Sequence, residues 1–291
     1  MKRQSLLLYL FLIFCLCRPA GLLYAVQNSS RFSLASITIN DGLPYNFVDD
    51  IIKSDDGYLW VATYGGGVAR YDGNEFVVFN TNTTDQRRLL RSNFVEKLAE
   101  DAFHRIWVAG ESGIELLSTE NLQLLPVESL QSEEMAGLMK APVSFLMTTR
   151  TGNLWLCSRG HIYKVMFNST GTVKKVIRIS DTPIHERGCV LSEIDGYVWF
   201  FHKGKMCRIS ESVTSSQEPQ PVSVSLDISP LEAVFSIFHC QNNVWIGTSN
   251  GLYCYDLTTD TSLHYVHDAQ NPSSLSQNYV TSITSTRDNQ V

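Results

Sequence analysis

Seven histidines are the residues of this sequence with the clearest potential for acid–base or metal chemistry. They fall in predicted loops and strand ends, without the Ser or Cys partner at a strained turn that nucleophilic catalysis needs. No His or Cys cluster has the spacing of a zinc site. The sequence therefore predicts no catalytic residue, no metal site and no cofactor. An enzyme stays open as an alternative if His161, His202 and His239 meet at one mouth of the fold. The full set is His104, His161, His185, His202, His239, His264 and His267.

Two further patterns resemble ligand sites but have simpler explanations. Gly65-Gly-Gly67 resembles a phosphate-binding loop, yet it lies between two predicted strands, which favours a hairpin turn. Asp56, Asp72, Asp195 and Asp256 stand singly, without the dense pattern of a calcium loop. We therefore interpret these residues as turn formers.

Five tryptophans could form a sugar-stacking array, but their spacing favours a structural role. Trp60, Trp107, Trp155, Trp199 and Trp245 are separated by 47, 48, 44 and 46 residues. Each follows an aliphatic residue, and a turn former stands three places before each Trp except in the second unit, where His104 replaces it. One Trp at a fixed strand position in every unit is typical of a core position between repeats.

The residues around each Trp predict four short antiparallel strands in each unit. The turn former and the alternation after it indicate a strand that is entered from a hairpin. A glycine-containing turn and a third strand follow, and most units add a fourth strand. Four strands in about 46 residues match one blade of a β-propeller better than a sandwich or a β-solenoid.

The repeat predicts an all-β protein with about five and a half four-stranded propeller blades, incomplete at the C-terminus, from a ring of seven. Asn46, Asn93 and Asn278 each begin an N-(F/Y)-V triplet, and Trp follows 14 residues after the first two. The same offset from Asn278 places the next Trp just beyond Val291, so the sequence is expected to end within a sixth blade. The predicted blades span residues 41–88, 89–136, 137–182, 183–228, 229–272 and, in part, 273–291. Residues 26–40 are predicted to form an N-terminal closing strand.

Composition and the N-terminal segment indicate an exported globular protein. The 291 residues are 44% hydrophobic and carry a net charge of −6, which excludes a disordered tail and argues against binding to nucleic acid. Lys2 and Arg3 precede a short apolar run, and we interpret residues 1–25 as a signal peptide that directs export. Five cysteines follow this segment, and we interpret them as small buried hydrophobic residues.

Three stretches of the chain resemble the two-component regulator propeller family, the periplasmic sensor region of bacterial hybrid histidine kinases. They are Ile39-Asn-Asp-Gly-Leu-Pro-Tyr-Asn-Phe-Val48, the segment from Asp56 to Gly73, and Asn271-Pro-Ser-Ser-Leu-Ser-Gln-Asn-Tyr-Val280 with its continuation to Ile283. The resemblance implies an exported sensor of glycan fragments that signals across the inner membrane to a kinase absent from this stretch. It also implies that the remaining blades and the kinase are its partners, and that the full-length receptor is a homodimer.

Loops at one end of a propeller channel are the usual place for a ligand, and the candidates follow the Trp strands. Tyr64, Arg159, His161, His202 and Lys203 are the predicted ligand-binding residues, for an oligosaccharide or another small ligand. No nucleic-acid partner is expected. A stand-alone exported binding propeller and a lyase-like propeller enzyme remain the alternatives.

Overall fold

The structure is a computed structural model that describes residues 36–179, 189–202, 204–215, 221–229, 231–285 and 291. The predicted signal peptide and residues 26–35 of the predicted closing strand lie outside these ranges. Residues 36–38 are not in a strand, and a 3-10 helix, Ile39–Asp41, follows them. The closing strand therefore stays a prediction.

The described residues form five antiparallel sheets of four strands each, in which the strands pair in chain order. The first blade contains β1 (Val48–Lys53), β2 (Leu59–Thr63), β3 (Gly67–Tyr71) and β4 (Phe76–Phe79), and the second contains β5 (Lys97–Glu100), β6 (Arg105–Gly110), β7 (Gly113–Ser118) and β8 (Gln123–Leu125). The third contains β9 (Val143–Thr148), β10 (Leu154–Ser158), β11 (His161–Phe167) and β12 (Val173–Arg178). The fourth contains β13 (Leu191–Ile194), β14 (Tyr197–His202), β15 (Lys205–Ser210) and β16 (Val222–Asp227), and the fifth contains β17 (Val234–Cys240), β18 (Asn243–Thr248), β19 (Gly251–Asp256) and β20 (Thr261–Tyr265).

Consecutive sheets pack through their first strands, in the order β1, β5, β9, β13 and β17. Each sheet is a four-stranded meander, and the next sheet covers one face of each of the first four, as in a β-propeller. The predicted all-β propeller with four-stranded blades is confirmed.

The cores lie between the blades, and the tryptophans of the second strands occupy them. Trp60, Trp107, Trp155 and Trp199 are fully buried, each in a separate hydrophobic cluster between two neighbouring sheets. The second strands β6 and β10 are buried along their whole length, because neighbouring sheets cover both of their faces. Trp245 of the fifth blade is only half-buried and stacks on Tyr265.

The asparagine of each N-(F/Y)-V triplet accepts a hydrogen bond within its connecting segment, and two of the three also contact the blade before. The Oδ1 atoms of Asn46, Asn93 and Asn278 accept a backbone N–H from an earlier residue of the segment, at 3.0, 2.8 and 2.5 Å. The carbonyl oxygens of Asn93 and Asn278 accept from Gly67 at 3.0 Å and from Gly251 at 2.6 Å in the blade before. Asn278 therefore docks on the fifth blade as Asn93 docks on the first.

One short helix departs from the regular repeat. α1 (Glu133–Met139) lies across the predicted boundary between the second and third blades, and Ser132 caps it by accepting the N–H of Met135. Met135 and Met139 are buried against the second and third sheets. The repeat pattern does not predict this helix. In the described part of the chain no helix has the length and apolar character of a membrane span.

Candidate functional site

The two ends of the blades carry different sets of loops. We call the end with the turns between first and second strands the first-hairpin end; its turns are residues 54–58, 101–104, 149–153, 195–196 and 241–242. We call the opposite end the second-hairpin end; its described turn residues are 64–66, 111–112, 159–160, 204 and 249–250. Each end has a pocket near the first strands of the first three blades.

Three exposed aromatic rings mark the second-hairpin end. Tyr64 follows β2 and pairs with Phe94 as an isolated bridge, and its N–H donates to Phe47 O at 3.0 Å. The ring centroid of Tyr64 lies 4.8 Å from that of Phe94 and 6.0 Å from that of Phe47. Phe47, Tyr64 and Phe94 are 60%, 39% and 44% exposed. We call these three residues the aromatic cluster.

A pocket of about 370 Å³ lies beside the aromatic cluster, and its polar residues come from equivalent positions of three blades. Asp49, Glu96 and Ser144 each follow the valine at or before the start of a first strand, and all three line the pocket with Phe47 and Tyr64. Lys97 is the remaining lining residue. The repeat itself therefore gathers two carboxylates, one hydroxyl and one ammonium group around an aromatic wall.

Both carboxyl groups of this pocket have a raised pKa. Burial raises the pKa of Asp49 above its ordinary value, despite the nearby charge of Lys97. Burial, followed by the charges of Glu111 and Asp49, raises the pKa of Glu96. Asp49 Oδ2 is buried and has no hydrogen-bond partner among the described residues.

The structure places the described members of the predicted ligand set at the second-hairpin end but brings only Tyr64 into the pocket. Arg159 is an exposed residue of the turn after β10, with a positive φ of 50°, and His161 begins β11. His202 ends β14, and Lys203 lies outside the described residues. A role for Arg159, His161, His202 and Lys203 in ligand binding stays a prediction.

Sequence reasoning missed most of the pocket. The N-F-V triplets that contain Phe47 and Phe94 were used only to set the register of the repeat. An aromatic residue next to the first strand of a blade could already have indicated a ligand-binding position. Asp49, Glu96 and Ser144 gave no signal of their own, because their common position appears only after the blades are aligned.

A second pocket, of about 550 Å³, lies at the first-hairpin end. Residues from the first hairpins of the first three blades line it, among them Asp55, Asp101 and Thr151, together with Glu100 and Arg150. The Arg150 N–H donates to a Glu193 carboxylate oxygen at 2.7 Å, so this end also joins the third blade to the fourth.

Comparisons with known proteins agree with the fold and with the resemblance. The extracellular domain of BT3049 from B. thetaiotaomicron, described as a hybrid two component system, is similar with a TM-score of 0.61 and 20% identity, over 88% of this chain and 39% of that chain. The extracellular domain of BT4673 from the same organism, described as a one component system, gives a TM-score of 0.56 and 20% identity, over 78% and 30%. Virginiamycin B lyase from Staphylococcus aureus gives a TM-score of 0.50 and 12% identity, over 75% and 69%.

At these identities the similarity shows the propeller fold, and the chain spans less than two fifths of the length of the two B. thetaiotaomicron domains. No curated protein matches the sequence. Residues 42–65, which run from the segment before β1 to the turn after β2, match the family described as two component regulator propeller. The resemblance predicted from the sequence is thereby confirmed at residues 42–65, which match one repeat of this family.

Proposed function

We propose that this chain is the exported ligand-sensing propeller of a hybrid two-component sensor and that it binds a glycan fragment at the second-hairpin end. The observation that carries the proposal is the pocket that the rings of Phe47 and Tyr64 line together with charged side chains of the first two blades. The family match and the similarity to extracellular sensor domains support the sensor part of it.

The chemistry of the pocket suits a polyhydroxylated ligand. Sugar rings present apolar C–H faces that stack on aromatic side chains, and Phe47 and Tyr64 offer such faces at the pocket. Sugar hydroxyl groups donate to carboxylates and accept from ammonium groups, and Asp49, Glu96 and Lys97 supply both kinds of partner. A pocket of about 370 Å³ is large enough for one or two sugar rings.

The signal would pass from the propeller to a histidine kinase on the other side of the inner membrane, in a homodimeric receptor. Ligand binding can act on such a partner only if it favours one arrangement of the receptor over another. A ligand that contacts the first three blades at once could do this, because it would fix the blades relative to one another.

Isothermal titration calorimetry of the exported chain against oligosaccharide pools tests the binding step. We expect binding heat with at least one pool, and an affinity loss of about tenfold or more in Tyr64→Ala, since one stacking contact and its burial contribute about 1.5 kcal/mol. Tyr197→Ala is the matched control, because Tyr197 is 40% exposed but begins β14 at the first-hairpin end. Absence of heat with every pool, or equal losses in both variants, would contradict the proposal.

A further inference from the structure

The first-hairpin end holds a group of three metal-binding side chains that ligand sensing does not use. Asp55 lies in the first hairpin of blade one, Glu100 ends β5, and His104 lies in the first hairpin of blade two. Each offers one ligand atom, and the three atoms lie within 4.8 Å of one another. They meet because β1 and β5 are neighbouring inner strands, and the Asp55 N–H donates to Glu100 Oε2 at 2.7 Å.

Glu100 contributes to this group a carboxylate oxygen, Oε1, that accepts no hydrogen bond from the described residues. Its side chain is 11% exposed, and Oε1 is buried with no hydrogen-bond partner in the described part of the chain. His104 Nδ1 lies 3.8 Å from this oxygen, beyond hydrogen-bond distance. Burial raises the pKa of Glu100, and the negative charges of Asp55 and Asp56 add to the increase. A bound cation would offset both effects.

His104 occupies a position where three of the other four blades have glycine and the fifth has Asn242. Gly57, Gly152 and Gly196 stand three places before Trp in their blades, each with a positive φ, and His104 has a φ of 54° at the same place. A histidine in this conformation is less stable than glycine. The turn itself therefore does not require an imidazole at this position.

We propose that Asp55, Glu100 and His104 form a binding site for a Zn²⁺-like transition-metal dication. One imidazole nitrogen with two carboxylate oxygens suits Zn²⁺, or next Mn²⁺, whereas Ca²⁺ and Mg²⁺ prefer oxygen ligands alone. Three protein ligands leave a coordination position of tetrahedral Zn²⁺ for water or a ligand. The pocket of about 550 Å³ that Asp55 and Glu100 line adjoins the site.

Calorimetric titration of the EDTA-treated chain with ZnCl₂, and separately with MnCl₂ and CaCl₂, tests the proposal. We expect one Zn²⁺ site per chain, and at least about 100-fold weaker binding in His104→Asn and Glu100→Gln, since each variant removes a ligand. Asn tolerates the positive φ of position 104. Glu193→Gln is the matched control, because Glu193 makes the equivalent 2.7 Å contact with a turn N–H between blades three and four.

Asp55→Asn provides an independent variant, since Asp55 is an exposed turn residue whose replacement should leave the fold intact. Its Zn²⁺ affinity should fall as in the other two variants, with an unchanged circular dichroism spectrum. No Zn²⁺ binding by the wild-type chain would overturn the proposal. So would binding that all three ligand variants retain, because the ion would then be bound elsewhere, for example by the other histidines.

Discussion

Lys164 is a buried cation at the interface between blades three and four. Its side chain is 1% exposed, and its Nζ lies 3.5 Å from Oε1 of Glu211, whose side chain is 6% exposed. Nζ also donates to the carbonyl oxygens of Glu211 and Val213, the latter at 3.1 Å. Glu211 accepts further hydrogen bonds from Thr149 at 3.1 Å and Asn153 at 2.7 Å. The ion pair therefore connects β11 with the segment that follows β15.

We expect Lys164→Met to lower the free energy of unfolding by about 3 kcal/mol at pH 7. Removal of one member of a buried ion pair typically costs about 3–5 kcal/mol, because the other charge stays buried without its partner. The lower end of this range applies here, since Thr149 and Asn153 still donate to Glu211. The double variant Lys164→Met/Glu211→Gln should recover most of the loss, because it also removes the buried negative charge.

The loss should depend on pH in a defined direction. Burial by itself raises the pKa of Glu211, but hydrogen bonds from Asn153 and Thr151 and the charge of Lys164 bring it below its ordinary value. A lowered pKa in the folded state stabilises the fold above the unfolded-state pKa, and this stability is lost as pH falls through the folded-state pKa. Without Lys164 the pKa of Glu211 should rise. The difference between wild type and Lys164→Met should therefore shrink as pH falls from 7 towards 5.

Urea denaturation followed by tryptophan fluorescence at pH 7 and pH 5 measures both effects. Lys175→Met is the control, because Lys175 also donates to a backbone carbonyl, that of Thr214 at 2.6 Å, but is exposed. It should change the free energy of unfolding by less than about 0.5 kcal/mol. A loss below about 1 kcal/mol for Lys164→Met at pH 7, or an equal loss at both pH values, would refute the reasoning.

Three further predictions concern other parts of the blades. Gly67→Ala should lower the free energy of unfolding by at least about 2 kcal/mol in the same urea assay, since its Cβ would lie 2.2 Å from a carbonyl oxygen of β4 and its φ is +84°. Gly73→Ala is the control: its Cβ would meet no atom within 4 Å, so it should lower the free energy of unfolding clearly less. The hydrogen bond with Cys157, followed by burial, raises the pKa of Cys189 well above its ordinary value. Because both cysteines are also buried, their thiols should react with a disulfide reagent at pH 8 only after the protein unfolds. Burial and a hydrogen bond to the Asp260 carboxylate raise the pKa of Tyr255 to about 12. In an ultraviolet absorbance titration of the folded protein, Tyr255→Phe should therefore remove one phenol group that ionises near that pH.

The periodic features of the chain made the fold predictable, because each blade repeats the same order of turns and strands. The turn former, the aliphatic residue and Trp define a strand that enters from a hairpin, and Trp155 occupies the interface as Trp60 does. Helix α1 could not be predicted from the repeat, since it fills a space under the second and third sheets that exists only when those sheets are packed.

The candidate sites were predictable only in part, for the same reason. Tyr64 stood out as an aromatic residue in a loop, and it does line a pocket. His104 stood out as an exception to the turn pattern, but its proximity to Glu100 depends on the hairpin geometry and on the burial of the carboxylate.

The sequence by itself determined the strand order and the blade period, since these follow from local turn chemistry and alternation along the chain. The tertiary structure decided which equivalent positions meet. Asp49, Glu96 and Ser144 lie about one blade apart in sequence, yet the packing of neighbouring first strands brings them to one pocket. The same packing brings Asp55 to Glu100, because the first strands of the first two blades, β1 and β5, lie side by side.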